Sequence, residues 1–316
     1  MNIVYNGQND PRAFKDVLGQ VIPALAAEDE NIIYLDADLM SCIGTKKWAD
    51  GNPTRGINCG ISEANMIGVA AGLAASGFKP IVHTFGPFAS RRAFDQVFLS
   101  AGYAGNDITV IGTDPGVCAA FNGGTHMPFE DVALYRTLPT ATILDITDAN
   151  MLISVLKQCK DRPGVKYIRV GRKNAAKVFA DGEETPIGKA IPLREGKDAV
   201  IFAAGIMVHE AMQAAEQLLS QGISAAVVNI FTIKPLDTET VLRYAKAAGR
   251  AVVAENHNKI GGLYSAVCEA LAKEGVARVD YVAVEDEYGE VGPQDYLQKR
   301  FGLTAAHIVE KVKGLL

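Results

Sequence analysis

"GISEANMIGVAAGLAASGFKPIVHTF", residues 60–85, sets the pattern from which the rest of the fold follows. Ser62 stands where an N-cap belongs, a small and apolar run follows, and Gly77 closes it, so the spacing predicts a helix near 62–77. "PIVHTF" (80–85) then reads as a buried strand. The same alternation runs on both sides: strands at 31–36, 107–113, 141–146 and 166–170, helices near 12–28, 90–102, 129–137 and 148–160. Such βα units build a mostly parallel sheet covered on both faces.

A polar, turn-rich stretch, "FADGEETPIGKAIPLREGKD" (179–198), separates this series from a second one. Beyond it lie strands at 199–205, 224–230, 250–256 and 280–285, with helices near 207–221, 237–247, 261–273 and 304–315. The expected fold class is α/β: two three-layer domains, residues 1–182 and 199–316, joined by a linker at 183–198, each with a mostly parallel sheet under helices.

Composition narrows the function classes. Of 316 residues, 48% are hydrophobic and 21% charged, a globular profile, and a net charge of −5 with no basic stripe argues against nucleic acid or an anionic membrane as partner. The N-terminus has no signal pattern and no apolar run reaches membrane-spanning length, so a cytoplasmic location is expected. Cys42, Cys59, Cys118, Cys159 and Cys268 are odd in number and irregularly spaced, which reads as reduced, mostly buried thiols and no metal site. No GxGxxG follows a strand, and no GxxxxGK[ST] or GxSxG occurs, so the usual devices of dinucleotide, P-loop and α/β-hydrolase enzymes are missing.

Three features carry chemistry instead. Glu63 sits in the first turn of its helix, where a lone acid is ordinarily a response to the helix dipole. Phe85 and Phe88 flank "GP" at the end of the next strand; beside a carboxylate, two aromatic faces suit a flat heteroaromatic ring that stacks on one side and offers a ring nitrogen. His126 lies in the Gly-rich turn "FNGGTHMPFED" (121–131), a loop position with a proton-handling side chain. His83, on a core strand, His209 and His307, on helices, and His257, on a loop, read as structural or surface residues.

Taken together with "DADL" (36–39), "HTFGPFASRRAFDQ" (83–96), "GGTHMPFEDVALYRTLP" (123–139) and "YIRVGR" (167–172), these segments resemble the pyrimidine-binding domain of the transketolase family. "IFAAGIMVHEAMQAAEQL" (201–218), "IKPLD" (233–237) and "GGLYSAV" (261–267) resemble its C-terminal domain. The family holds thiamine diphosphate through Mg²⁺ (or Ca²⁺) on a preceding domain marked by GDG, and no GDG occurs here. The resemblance therefore implies the C-terminal subunit of a split transketolase, with the diphosphate and metal held by a separate N-terminal subunit in an α₂β₂ assembly, and no metal site on this chain.

It also implies roles by position. Glu63 would hydrogen-bond N1′ of the aminopyrimidine, activating the cofactor rather than touching substrate; Phe85 and Phe88 would enclose the ring, Leu39 would wedge beneath it, and Asp38 and Ile61 would lie against the cofactor. Arg91 replaces an aromatic of that pocket. His126 would steady charge on the substrate oxygens. Arg12 and Arg172 fall at the two arginine positions that grip a sugar phosphate. Asp114 stands where a His is usual, Cys42 near a usual Ser, and Asn122 at the usual Asp that reads sugar stereochemistry. An Asp facing phosphate repels it, so the expected donor is an anionic ketose other than an ordinary xylulose or fructose phosphate, branched or sulfonated. Two other readings stay open at this stage: the beta subunit of a 2-oxo acid dehydrogenase or a 1-deoxyxylulose-5-phosphate synthase fragment, and a non-catalytic scaffold.

Overall fold

The computed structural model describes residues Met1–Leu316, which divide into two compact units: Met1–Pro115 with Leu134–Ile187, and Gly116–Ala133 with Gly188–Leu316. The first contains β1 (Ile32–Asp36), β2 (Gly56–Asn58), β3 (Lys79–Phe85), β4 (Ile108–Thr113), β5 (Thr142–Asp145) and β6 (Val165–Val170). Their order is β5-β6-β4-β3-β1-β2, and each neighbouring pair is parallel. Register is set across the centre by Tyr34 beside Ile81, Ile81 beside Thr109 and Thr109 beside Lys166. Strands β1, β4, β5 and β6 are buried at every residue, as a sheet covered on both faces requires.

The helix Glu63–Ala75 forms where the sequence places it, but Ser62 caps it by position only: its side chain accepts no hydrogen bond from the first turn. Asp148 caps the helix Ala149–Cys159 in full. Its Oδ1 accepts from the Met151 amide at 2.8 Å, and its Oδ2 accepts from the amides of Val178 and Phe179 at 2.9 and 2.8 Å, tying a distant segment to the helix start. The helix expected over 90–102 is broken. Pro87 opens a short helix, Gly86–Ala89, which ends at Ser90; the chain restarts at Phe94–Gln96 and passes into a π-helix, Val97–Tyr103.

The second unit contains β7 (Ile191–Arg194), β8 (Ala199–Ala203), β9 (Ala225–Asn229), β10 (Thr232–Lys234), β11 (Arg250–Asn258) and β12 (Arg278–Val284). One sheet has the order β12-β11-β8-β9-β7 and is parallel except for β7, an antiparallel edge strand formed inside the polar stretch 179–198. Helices Met207–Leu219, Thr238–Ala248, Leu263–Ala272 and Ala305–Leu315 accompany it. The fold is therefore two mostly parallel sheets, each covered by helices. His257 lies within β11 and is fully buried, not on a loop. All five cysteines are free thiols, two buried and three half-buried. No helix is long and apolar enough to cross a membrane.

Candidate active site

In open α/β sheets, ligand sites gather beyond the carboxyl ends of the strands. Asp38, Leu39 and Cys42 follow β1; Ile61 and Glu63 follow β2; Phe85 ends β3, with Phe88 and Arg91 just beyond; Asp114 follows β4 and Arg172 follows β6. One edge of the first sheet thus collects ten of the residues singled out above.

Strand β1 sets the first loop through Asp36, which sequence reasoning passed over. Its carboxylate accepts from the Tyr34 hydroxyl and the Leu39 amide, and His83 Nδ1 lies 2.7 Å away while His83 Nε2 meets Thr113 Oγ1 at 3.1 Å. Three strands are pinned together and Leu39 is fixed behind them. Asp38 then turns with φ of +66°, a conformation L residues seldom adopt, held by Asn58, whose Nδ2 donates to Asp38 Oδ1 at 2.8 Å. Asp114 shows the same positive φ, +56°, at the end of β4. Such strain is retained where the surroundings over-determine it, and here it falls at two of the candidate positions.

Glu63 is 3% exposed, at the start of its helix. Its Oε1 accepts from Arg92 Nη1 at 2.9 Å, and the Arg92 guanidinium lies over Phe88 with Cζ 3.7 Å from the ring centroid. Phe85 and Phe88 are half-buried with centroids 6.4 Å apart, and Arg172 Cζ stands 4.9 Å over Phe85. Ile61 is 75% exposed, an apolar side chain presented next to the acid. Arg91 is exposed. Through Arg92 the buried Glu63 carboxyl is linked to the face of Phe88, and an acid and an aromatic face bridged in this way have the chemistry to seat a planar heteroaromatic ring carrying a ring nitrogen. No group of three or more His, Cys, Asp or Glu could hold a metal ion.

Both candidate anion-binding arginines have carboxylates of their own. Arg172 Nε donates to Asp114 Oδ2 at 2.7 Å, and its Nη2 stands 2.6 Å from the same oxygen. Burial pushes the Asp114 carboxyl above its ordinary value despite this partner. Arg12 donates to Asp10 at 2.9 and 2.7 Å and to Asp181 at 2.7 Å. The hydrogen bond from Arg12 holds Asp10 below the usual carboxylate range. The "DPR" at 10–12 was the available signal for Asp10; nothing local in the sequence announces Asp181.

Asn122 and His126 belong to the second unit. The loop carrying them starts at Gly116, where φ is +51° and a Cβ would lie 2.1 Å from Asn256 Oδ1, the atom that accepts from the Val117 amide at 3.0 Å. Only glycine allows that approach. Asn122 is exposed, as is Phe121, while His126 is half-buried with Nδ1 2.9 Å from Thr125 Oγ1.

The chain is therefore a two-part α/β protein whose candidate residues gather at the carboxyl edge of the first sheet. The chain belongs to the transketolase family: "Transketolase, pyrimidine binding domain" matches residues 10–177 and "Transketolase, C-terminal domain" matches 188–308. It is 45% identical over 309 residues to the 6-deoxy-6-sulfo-D-fructose transketolase subunit SqwH of Clostridium sp. strain MSTE9, covering 98% of this chain and 96% of that one. A solved structure described as a split gene transketolase, inactive beta4 tetramer, superposes with a TM-score of 0.88 at 36% identity, covering 96% of this chain and 98% of that one. Against 1-deoxy-D-xylulose-5-phosphate synthase 1 of Geobacter metallireducens, 35% identical, the match covers 99% of this chain but 50% of the longer one. The chain thus corresponds to the C-terminal half of a transketolase, a transferase subunit of the split, two-chain kind.

Proposed function

We propose that this chain, joined to a separate diphosphate-binding subunit as α₂β₂ in the cytoplasm, uses thiamine diphosphate to transfer a two-carbon ketol unit from an anionic ketose to an aldose phosphate. The carrying observation is Glu63, a nearly fully buried acid at the carboxyl edge of the sheet, joined through Arg92 to the face of Phe88, whose ring lies 6.4 Å from that of Phe85. Residues 1–182 would form the pyrimidine-binding domain and 199–316 the C-terminal domain.

Bound thiamine diphosphate supplies the carbon nucleophile; this chain's residues orient and tune it. Glu63 would present its carboxyl to the ring nitrogen N1′. Phe85 and Phe88 would hold the ring plane, with Leu39, Asp38, Ile61 and Arg91 around the cofactor. His126 would donate to the substrate oxygens where negative charge develops. Arg12 and Arg172 would meet the terminal anion, with Cys42 and Asp114 tuning that contact, and Asn122 would read the sugar hydroxyls. Mg²⁺ (or Ca²⁺) would be held by the partner.

Charge selects the donor. Two arginines already face three carboxylates, Asp10, Asp114 and Asp181, so a dianionic phosphate meets more repulsion than a monoanionic sulfonate. The relative that acts on a sulfonated fructose supports the same choice. Apolar surface supports the partner: the helix Glu63–Ala75 is apolar on most sides, and Val69, Phe98, Leu99 and Tyr103 are exposed. Co-purification with the diphosphate-binding chain, followed by assay with and without thiamine diphosphate, tests the proposal. Turnover requires both chains and the cofactor; a chain that transfers ketol units alone, or a pair that never does, refutes it.

A further inference from the structure

The geometry points to Arg92 as a displaceable guard on the acid: we infer that its guanidinium holds the aminopyrimidine's seat and must leave before the cofactor can bind. The inference rests on the reading of Glu63 and Phe88 as that seat. Arg92 makes both contacts the ring needs. It lies face-on to Phe88, Cζ 3.7 Å from the centroid, and points an N–H at Glu63 Oε1 from 2.9 Å. A guanidinium is planar and delocalised and stacks on aromatic faces much as a heterocycle does.

Its hydrogen-bonding sense, however, is the reverse of the cofactor's. Guanidinium only donates, so it matches an ionised, acceptor-only carboxylate. A neutral pyrimidine ring nitrogen accepts, so the hydrogen it shares with Glu63 must come from the carboxyl side, which the Arg92 N–H does not supply. Arg92 and the ring also claim the same face of Phe88, so the ring is seated only when Arg92 has left. Escape is open, because the Arg92 side chain is 45% exposed while Glu63 is 3% exposed. Arg92 also lies between the short helices Gly86–Ala89 and Phe94–Gln96, outside either one. The partner interactions broken are a cation–π contact and an ion pair with one exposed member, both modest. Cofactor affinity bears their loss, which makes binding slower to saturate and selects for a ligand that satisfies Glu63 as well as Phe88.

The test is calorimetric titration of thiamine diphosphate with Mg²⁺ into the two-chain enzyme, sugar omitted, comparing wild type, Arg92→Gln and Arg92→Lys. Arg92→Gln is expected to bind about tenfold more tightly, equivalent to about 1.4 kcal/mol. Arg92→Lys, able to pair with Glu63 but not to stack as a plane, should fall between. In a Glu63→Gln background, where no ion pair exists, the gain from Arg92→Gln should shrink. Unchanged or weaker binding by both Arg92 variants overturns the guard alone and makes Arg92 a support for Glu63. Failure of the wild-type pair to bind thiamine diphosphate overturns the guard together with the cofactor reading on which it rests.

Discussion

Arg172 and Asp114 form a close ion pair across the carboxyl ends of β6 and β4, with Nε and Nη2 both within 2.7 Å of Asp114 Oδ2. The arginine proposed to meet the substrate anion is here engaged by a buried acid of the same chain. Replacing Asp114 by Asn should free Arg172 and shift donor preference from sulfonated toward phosphorylated ketoses, by about tenfold in relative kcat/KM, the scale of one charged hydrogen bond. Competition between the two donor classes, wild type against Asp114→Asn, measures it.

The same pair predicts a pH effect. Burial raises the Asp114 carboxyl above its ordinary range, so on acidification it takes up a proton before an unperturbed Asp would. The protonated form releases Arg172 to the substrate. Donor KM should therefore fall in the wild type relative to Asp114→Asn as the pH drops toward that raised value. Parallel pH profiles for the two proteins would contradict this.

Glu63→Gln should cost about 10²–10⁴ in kcat, the usual range for losing a positioned proton-handling group, while the chain still co-purifies with its partner. Steady-state kinetics at saturating thiamine diphosphate, read beside a pull-down, separates that loss from failed assembly.

His126→Ala should lower kcat by about 10²–10³ if the side chain steadies developing charge on the substrate oxygens. Cofactor affinity should stay as in the wild type. A KM effect with unchanged kcat would instead make His126 a ground-state contact.

Asp148→Ala addresses the fold. It removes an N-cap and leaves the buried amides of Val178 and Phe179 without their acceptor, a combined loss of about 3 kcal/mol. Urea unfolding of the isolated chain should show the midpoint shift with little change in slope.

Much of this was legible before the structure. Nine strands fall where continuous apolar runs place them, because a parallel sheet covered on both faces writes itself as unbroken Val, Ile and Leu. The short strands β2, β7 and β10 were missed: three or four residues cannot establish a period, and β7 hides in a polar stretch whose Pro and Gly signal a turn. The helix Gln294–Arg300 was missed for a similar reason, since seven mostly polar residues after a proline show no apolar face. In the site, Glu63 and the two phenylalanines announced themselves by residue type and local order. Arg92, the partner of Glu63 and Phe88, and Asp181, a partner of Arg12, did not. They are ordinary charges in sequence, and only the folded chain brings Arg92 to Glu63 across 29 positions and Asp181 to Arg12 across 169.

The most direct test of sulfonate-selective, thiamine-dependent ketol transfer is a donor competition with the assembled two-chain enzyme: 6-deoxy-6-sulfo-D-fructose against fructose 6-phosphate, one aldose phosphate acceptor, with and without thiamine diphosphate. Transfer is expected to need both chains and the cofactor, and to favour the sulfonated donor. Equal use of the phosphorylated ketose, or transfer that ignores the cofactor, would contradict it.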